Sequence, residues 1–420
     1  MGLRIIRTLF NLLQAPFQTA AVRLNRKGLA HLERGESEKA LAVFGEAIRL
    51  ESSMAVAFSN RCLCLYQLGE FAKAIEDGNQ AISLDPRLAE AFANRGAALS
   101  GQGHFRSAVD DFTRAIELNS LLPYPHLNRG IARIEIGEYK KAILDLDWYL
   151  RRFSKSAEAH RIRAWAYATL MDHDRAFADF SEAIALDSQS AEYYADRALF
   201  LCNLGRVEEA SADCDAAFQH NPQLARVLIA RGKIAWARGD LHEAVRECDA
   251  AAQLEPSNSA IYATRGLAWD RLGQLDKSLA DYDRGLELNP NDPIIHNNRG
   301  YALVQLDRYA EAAEHYAKAI KLAPHHPNAY KNSAWLKGTC PESNLRDGKG
   351  AVTLAKKAVE LAGQCPPDWL EILAAAHAEA GDFAEAIRWQ TQAVDAAKDT
   401  MKNKHQTRLH RYQSSIPHRI

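Results

Sequence analysis

The sequence predicts an all-α solenoid of stacked helix-turn-helix units, and three observations carry that expectation. A small residue recurs at Gly28, Cys62, Gly96, Gly130, Ala164, Ala198, Gly232, Gly266, Gly300 and Ala334, a step of 34 residues taken nine times without a slip. Twelve after these anchors stand Ala40, Ala74, Ala108, Ala142, Ala176, Ala210, Ala244, Ser278 and Ala312. Turn formers hold fixed offsets: Gly35, Gly69, Gly103, Gly137, Gly205, Gly239 and Gly273 seven after the anchor, and Pro86, Pro222, Pro256, Pro290 and Pro324 twenty-four after it. Met171 and Asp307 break the glycine rule. Periods of this length mark arrays in which a unit buries its apolar surface only against its neighbours.

Each unit begins with a helix A that carries apolar residues at helical spacing, as in Phe92, Gly96 and Leu99. The glycine turn stops it. Helix B follows, as in Ala108, Phe112, Ala115 and Leu118, and Pro or Ser closes the unit. Small residues at the anchor and twelve beyond it let the two helix axes approach closely.

This spacing resembles the tetratricopeptide repeat (TPR) over residues 21–400, which implies a right-handed superhelix of about eleven units. An eleventh anchor, Ala374, comes 40 rather than 34 after Ala334, which places a 6-residue insertion in unit ten. Residues 1–20 then form an N-terminal segment and 401–420 a basic capping tail, helical to about Tyr412 and frayed beyond it. The stretches 338–363 and 369–394 resemble the C-terminal end of a group of bacterial TPR proteins with a TCP…LRDG…LAAAYAEAGDF pattern. That likeness implies a bacterial source and no particular activity.

The 420 residues are 47% apolar and 25% charged, with 52 Lys and Arg against 53 Asp and Glu. A chain-wide phosphate-binding surface needs a cationic excess, so no nucleic-acid partner is expected. No apolar run of about 18 residues predicts a membrane span. The seven cysteines include no Cys-x-x-Cys pair, so neither a zinc ribbon nor a disulfide framework is expected. A reducing, cytoplasmic setting follows. Cys340 and Cys365 flank one helix B and should not bridge.

Charge also repeats inside the array. Arg61, Arg95, Arg129, Arg163, Arg197, Arg231 and Arg265 each precede an anchor by one, and Asp77, Asp111, Asp145, Asp179, Asp213, Glu247 and Asp281 follow the same anchors by fifteen. Arg299 meets His315 instead. The TPR residue at the Arg position is commonly apolar, so these charges are partly buried and need partners. The pattern predicts seven structural ion pairs, within units or between neighbours.

Catalytic signatures are missing: no Gly-x-x-x-x-Gly-Lys-Ser/Thr loop, no Gly-x-Ser-x-Gly elbow, no His-Glu-x-x-His pair. The chain reads as no enzyme, without cofactor or metal. His126, His160 and His296 lie four before an anchor, where a large packing residue belongs. In TPR arrays the residue two before the anchor points into the concave groove. Here it is Asn60, Asn94, Asn128, Asn298 and Asn332, interrupted in the middle. These resemble the asparagine ladder by which O-linked N-acetylglucosamine transferase holds peptide backbone, since an amide both donates and accepts. Trp165, Lys233, Trp236 and Tyr301 would add stacking or specificity. The competing reading has Asn bonding neighbouring helices and Trp filling gaps between units. No consecutive trio of units fits the carboxylate clamp of TPR co-chaperones.

The ends differ from the body. Residues 1–32 and 401–420 carry five bases each and no acid. Leu3, Ile6, Phe10 and Leu13 share one helical face of 2–18, which reads as a cap on unit one, a membrane-surface helix or a signal sequence. The expected function is a scaffold or adaptor that binds an extended protein segment or helix in the groove. The alternatives are a membrane-surface assembly factor held by residues 1–18 and a cryptic hydrolase or transferase.

Overall fold

The computed structural model describes residues 19–363, 365, 367–397 and 399–420. The amphipathic 2–18 segment lies outside the described residues. Among those described are 23 α-helices, one short 3-10 turn (Ser343–Leu345) and no strand. They form two compact bodies, up to Ser188 and from Gln189. The first holds α1 (Ala20–Glu33), α2 (Ser37–Leu50), α3 (Ala55–Gln67), α4 (Phe71–Leu84), α5 (Ala89–Gly101), α6 (Phe105–Leu118), α7 (Pro123–Glu135), α8 (Tyr139–Leu150), α9 (Ala157–Thr169) and α10 (His173–Leu186). The second begins with α11 (Ala191–Asn203), α12 (Val207–His220), α13 (Ala225–Arg238), α14 (Leu241–Leu254), α15 (Ser259–Arg271) and α16 (Leu275–Leu288). It continues with α17 (Pro293–Gln305), α18 (Tyr309–Leu322), α19 (Pro327–Thr339), α20 (Gly348–Ala362), α21 (Pro367–Glu379), α22 (Phe383–Ala396) and α23 (Asp399–Gln413). Odd numbers to α21 are helices A and even numbers are helices B.

The A–B turns need a left-handed residue. The seven turn glycines from Gly35 to Gly273 have φ between +71° and +93°. Met171 and Asp307 take the same place at φ +62° and +58°, a conformation that costs an ordinary L-residue about 1 kcal/mol or more. Asp307 is partly compensated, because the Tyr309 hydroxyl donates to its carboxylate at 2.6 Å.

Packing within a hairpin is a matter of size. The nine small residues twelve after the anchors are fully buried. The anchor itself faces the side chain sixteen residues on. A methyl on Gly28 would stand 2.5 Å from the Phe44 ring, and one on Gly266 2.5 Å from Tyr282. Where the anchor is Cys62, the residue sixteen on is Gly78, so bulk moves from helix B to helix A. Within each body every helix B packs on the helix A that follows it, and successive helices A also touch. Successive helices B stand farther apart, so helices A line the inner face of the stack.

The charged side chains tie the layers together. Arg61 Nε donates to Asp77 Oδ2 at 2.6 Å and Nη2 to Oδ1 at 2.7 Å. The same two-point fork joins Arg95 to Asp111, Arg129 to Asp145, Arg163 to Asp179, Arg197 to Asp213 and Arg265 to Asp281, at 2.6–3.0 Å throughout. Arg231 holds Glu247 by one contact of 3.1 Å. Burial raises the Glu247 carboxyl above its ordinary range. At Asp179 burial also pushes upward, but the bonds from Arg163 and His160 prevail and the net shift is down. All these pairs lie within one unit. The remaining guanidinium nitrogen does a second job, reaching helix B of the preceding unit. Nη1 of Arg95, Arg129, Arg163 and Arg265 donates to Asn79, Thr113, Asp147 and Asp249 at 2.7, 3.0, 2.6 and 2.6 Å.

At Arg299 the acid is replaced by a relay. Nη1 lies 2.7 Å from His315 Nε2, and His315 Nδ1 lies 2.8 Å from His296 Nδ1. His296 Nε2 reaches the Pro290 carbonyl at 3.1 Å. A guanidinium can only donate, so His315 accepts at Nε2 and passes its Nδ1 hydrogen to His296. Burial, then the Arg299 and His296 charges, push the His315 imidazole down to about 4.

Unit ten carries its extra residues mainly between α19 and α20. Arg346 closes that loop, donating to the Cys340 and Pro341 carbonyls at 3.1 and 2.8 Å and to Glu379 at 2.9 Å. The tail differs from expectation. Its helix runs to Gln413, and the residues beyond fold back onto α19 rather than fray, because they find partners there.

Stability should respond at three kinds of site: a strained turn, the arginine–acid pairs and the His315 relay. Replacing Met171 with Gly should raise the urea midpoint by an amount equivalent to about 0.5–1 kcal/mol, since strain at positive φ outweighs the extra unfolded-state entropy of Gly. Asp145→Asn should cost about 3 kcal/mol, because Arg129 and Arg133 are both bonded to Asp145 at 2.6 Å, and its loss takes from Arg129 its anionic partner and leaves Arg133 only Glu138 at 3.8 Å. Asp147→Asn, at a site 35% exposed, should cost about 1 kcal/mol or less by the same measurement. The third concerns pH. A histidine held down to about 4 favours the folded state fully above 6.5 and loses that contribution as pH falls from 6.5 towards 4. Wild type should therefore lose on the order of 1 kcal/mol more than His315→Asn between pH 7.5 and pH 5, compared by urea denaturation.

Candidate functional site

The inner face is built from helix A residues that the B layer does not cover. Three of the five asparagines turn their amide hydrogens to the preceding helix A. Asn60 Nδ2 donates to Asn25 Oδ1 at 3.0 Å, Asn94 Nδ2 to the Ser59 carbonyl at 2.9 Å, and Asn332 Nδ2 to Asn297 Oδ1 at 2.9 Å. Each acceptor sits 35 residues earlier, three before its own anchor. A hydrogen that bonds a neighbouring helix is not offered to a ligand, so these three side chains serve the stack first, and Asn60 and Asn332 each retain one amide hydrogen and the carbonyl oxygen.

Asn128 and Asn298 differ for a reason visible at the same offset. The residues 35 before them are Ala93 and Ala263, which have no side-chain acceptor. Asn128 makes no hydrogen bond among the described residues, and Asn298 only accepts one, from Asn297 Nδ2 at 3.2 Å. The amide hydrogens of both are uncommitted.

The larger candidates also divide. Trp236 is engaged by its neighbours: its indole N–H donates to the Leu267 carbonyl at 3.1 Å, and the Arg271 guanidinium covers its ring at 5.0 Å. Trp165 meets the Phe180 ring edge-on at 5.3 Å and is half-buried. Both fill gaps between helices. Lys233 donates to Asn203 Oδ1 at 3.2 Å, and burial lowers its ammonium pKa. Tyr301 is 49% exposed, one residue after its anchor and within one turn of Asn298. The structure thus brings Asn298 and Tyr301 together as an open polar and aromatic patch in the second body, and leaves Asn128 alone in the first.

Sequence spacing missed two sets of residues. One is the second arginine partner, Asn79, Thr113, Asp147, Asp249 and Asp283, which recurs seventeen after the anchors. Arg299 Nε donates to the last of these at 2.8 Å. The other is the acceptor set Asn25, Ser59 and Asn297. Both recur at multiples of 34 residues: the first column is polar from Asn79 to Asp283 and was detectable as such, whereas the second mixes Asn25, Ser59 and Asn297 with Ala93, Leu127, Ala195, Ile229 and Ala263.

The histidines pack rather than ligate. His126 stacks on Trp148 at 3.6 Å, and His160 Nδ1 bonds Asp179 at 2.9 Å. The seven cysteines form no disulfide. Among the described residues no group of three or more His, Cys, Asp or Glu side chains could hold a metal ion. None of the described helices is long and apolar enough to cross a membrane.

Comparison with known proteins agrees with this architecture. A tetratricopeptide repeat model matches residues 127–191, 196–259 and 264–327, and a second TPR model matches 64–103, together more than half of the chain. No curated protein matches it. The crystal structure of the APC/C hetero-tetramer Cut9–Hcn1 is similar with a TM-score of 0.59 and 13% identity, covering 96% of this chain and 91% of that one. Yeast Tom70 has a TM-score of 0.41 and 18% identity, covering 94% and 96%. A tetratricopeptide repeat protein from Parabacteroides merdae has a TM-score of 0.49 and 20% identity, covering 59% and 98%. At such identities the likeness to Cut9–Hcn1 speaks for the fold alone. By its 34-residue period, its hairpin packing and the two TPR models that match more than half of it, the chain belongs to the tetratricopeptide repeat family.

Proposed function

We propose that this protein is a non-enzymatic scaffold that holds an extended segment of a partner protein on the inner face of its helices A. The observation that carries this reading is the uncommitted amide hydrogens of Asn128 in the first body and Asn298 in the second, each at a helix A position where the other asparagines bond their neighbours. A half-buried amide with nothing to bond is unfavourable unless water or a ligand completes it. An extended peptide supplies both a carbonyl acceptor and an N–H donor at each residue, so one asparagine grips it without reading its sequence. Tyr301, with half its surface open, adds an aromatic platform where an apolar side chain can rest. Cut9–Hcn1 is described as part of a multi-protein assembly, which is in keeping with a scaffold role.

Selecting displayed peptides on the purified chain tests this directly. Selected peptides should bind the Asn298→Ala/Tyr301→Ala variant at least tenfold more weakly by fluorescence anisotropy, with circular dichroism unchanged. Equal affinity for wild type and variant would remove these residues from the site.

A further inference from the structure

The residues after α23 run back along the protein instead of into solvent. Ser415 adopts φ +55°, which reverses the chain, and Ile416 N–H bonds the Arg411 carbonyl at 2.8 Å. Beyond Pro417 the backbone has no helical structure and reaches α19 and α21. Ile420 N–H donates to the Thr339 carbonyl at 3.1 Å. The His418 ring lies 5.7 Å from the Trp335 ring, and Arg419 Nη2 is 2.6 Å from Glu379 Oε2. Arg408 of α23 covers Trp335 at 5.1 Å and pairs with Glu371, which fixes the indole from behind.

The surface these residues occupy belongs to helices A. Trp335 stands one after its anchor, the place Tyr301 takes in the preceding unit. Thr339 and Glu379 stand five after theirs. Arg346 takes one oxygen of Glu379 at 2.9 Å and leaves the other for an incoming cation. An aromatic face, a main-chain carbonyl and a carboxylate oxygen therefore lie side by side. Each receives a different kind of group from the segment: a ring, a backbone N–H and a guanidinium.

The grip on the helices A is slight. Pro417, His418 and Arg419 are half-buried, but Ile416 is 49% exposed and Ile420 37%. The segment is held to α19 and α21 by one backbone bond, one ion pair and one ring contact. Its other bonds, from Ile416 N–H to the Arg411 carbonyl and from Arg411 Nη2 to the Pro417 carbonyl, are made to α23. A segment with so few buried contacts opens at low free-energy cost. Residues 401–420 contain five bases and no acid, which complements Glu379.

We propose that Trp335, Thr339 and Glu379 form a docking site for an extended, arginine-containing peptide of a partner protein, and that residues 416–420 fill it until the partner displaces them. This deepens the inner-face reading above and rests on it. The tethered segment competes at an effective concentration of about millimolar, so the partner binds more weakly to the closed form than to an opened one.

The test uses the full chain and a fluorescein-labelled peptide with the sequence of residues 414–420. The His418→Ala/Arg419→Ala variant, whose own segment cannot dock, should bind this probe at least tenfold more tightly than wild type does in fluorescence anisotropy. Adding Glu379→Gln, which keeps a bond for Arg346, should reverse the gain at unchanged circular dichroism. Trp335→Leu should do the same. Equal binding by wild type and the opened variant, or no binding by either, overturns the proposal. If the peptides selected on the Asn298 and Tyr301 patch still bind in that case, only this site falls and the scaffold reading stands. A wild-type dimer in light scattering that the opened variant loses would make a second copy the occupant, and would overturn the partner peptide.

Discussion

No hairpin in this chain owns a complete core. One face of each helix A rests on its own helix B, and within each body more of its apolar surface is buried by the neighbouring hairpins. Stability is then a sum of short-range terms, each requiring that two helix axes come close enough for side chains to interlock. The fully buried small residues twelve after the anchors enforce that closeness, and the anchor glycines make room for Phe44, Phe112, Tyr282 and Tyr316. Bulk can be traded across the hairpin, as Cys62 and Gly78 show, but it cannot be added to both sides at once.

Apolar packing fixes distance more firmly than it fixes register, and the arginines supply the latter. Two nitrogens of six of these guanidinium groups fork onto the acid of the same hairpin, Arg231 holds Glu247 by one contact, and in several units a further nitrogen reaches the preceding hairpin. A planar, five-donor group can serve two partners at fixed angles, which a lysine cannot. Because the acids are mostly buried, the arrangement works by geometry and by the cost of disruption rather than by large net stabilisation. His315 shows that the position tolerates another acceptor if the surrounding groups form a neutral relay.

The inner face is what remains after these demands are met. A polar side chain 35 positions earlier accepts from the amides of Asn60, Asn94 and Asn332, in the case of Asn94 the Ser59 hydroxyl at 3.1 Å beside its carbonyl, and an alanine stands there for Asn128 and Asn298. Structure and recognition thus draw on the same column of side chains, and the preceding unit decides which role each one takes. At the C-terminal end the chain's own basic segment lies across Trp335, Thr339 and Glu379, where the same face offers an aromatic ring, a carbonyl and a carboxylate.

Helix order, turn positions, small-residue contacts and the pairing of Arg61 through Arg265 with acids sixteen residues on were all legible in the sequence, because each is a local demand repeated at one period. Met171 and Asp307 stood out in the sequence only as breaks in the glycine column, and the structure shows that they take the same left-handed turn. The spacing alone did not say that one guanidinium joins two hairpins, since a fixed offset names the column and not the direction in which a long side chain extends. Nor did it show that Asn60, Asn94 and Asn332 bond inward while Asn128 and Asn298 do not, which depends on atoms 35 residues away meeting across a packed interface. The docking of residues 416–420 belongs wholly to tertiary structure: a short aperiodic segment has no partner of its own along the chain, and finds one only where folding has already assembled a surface.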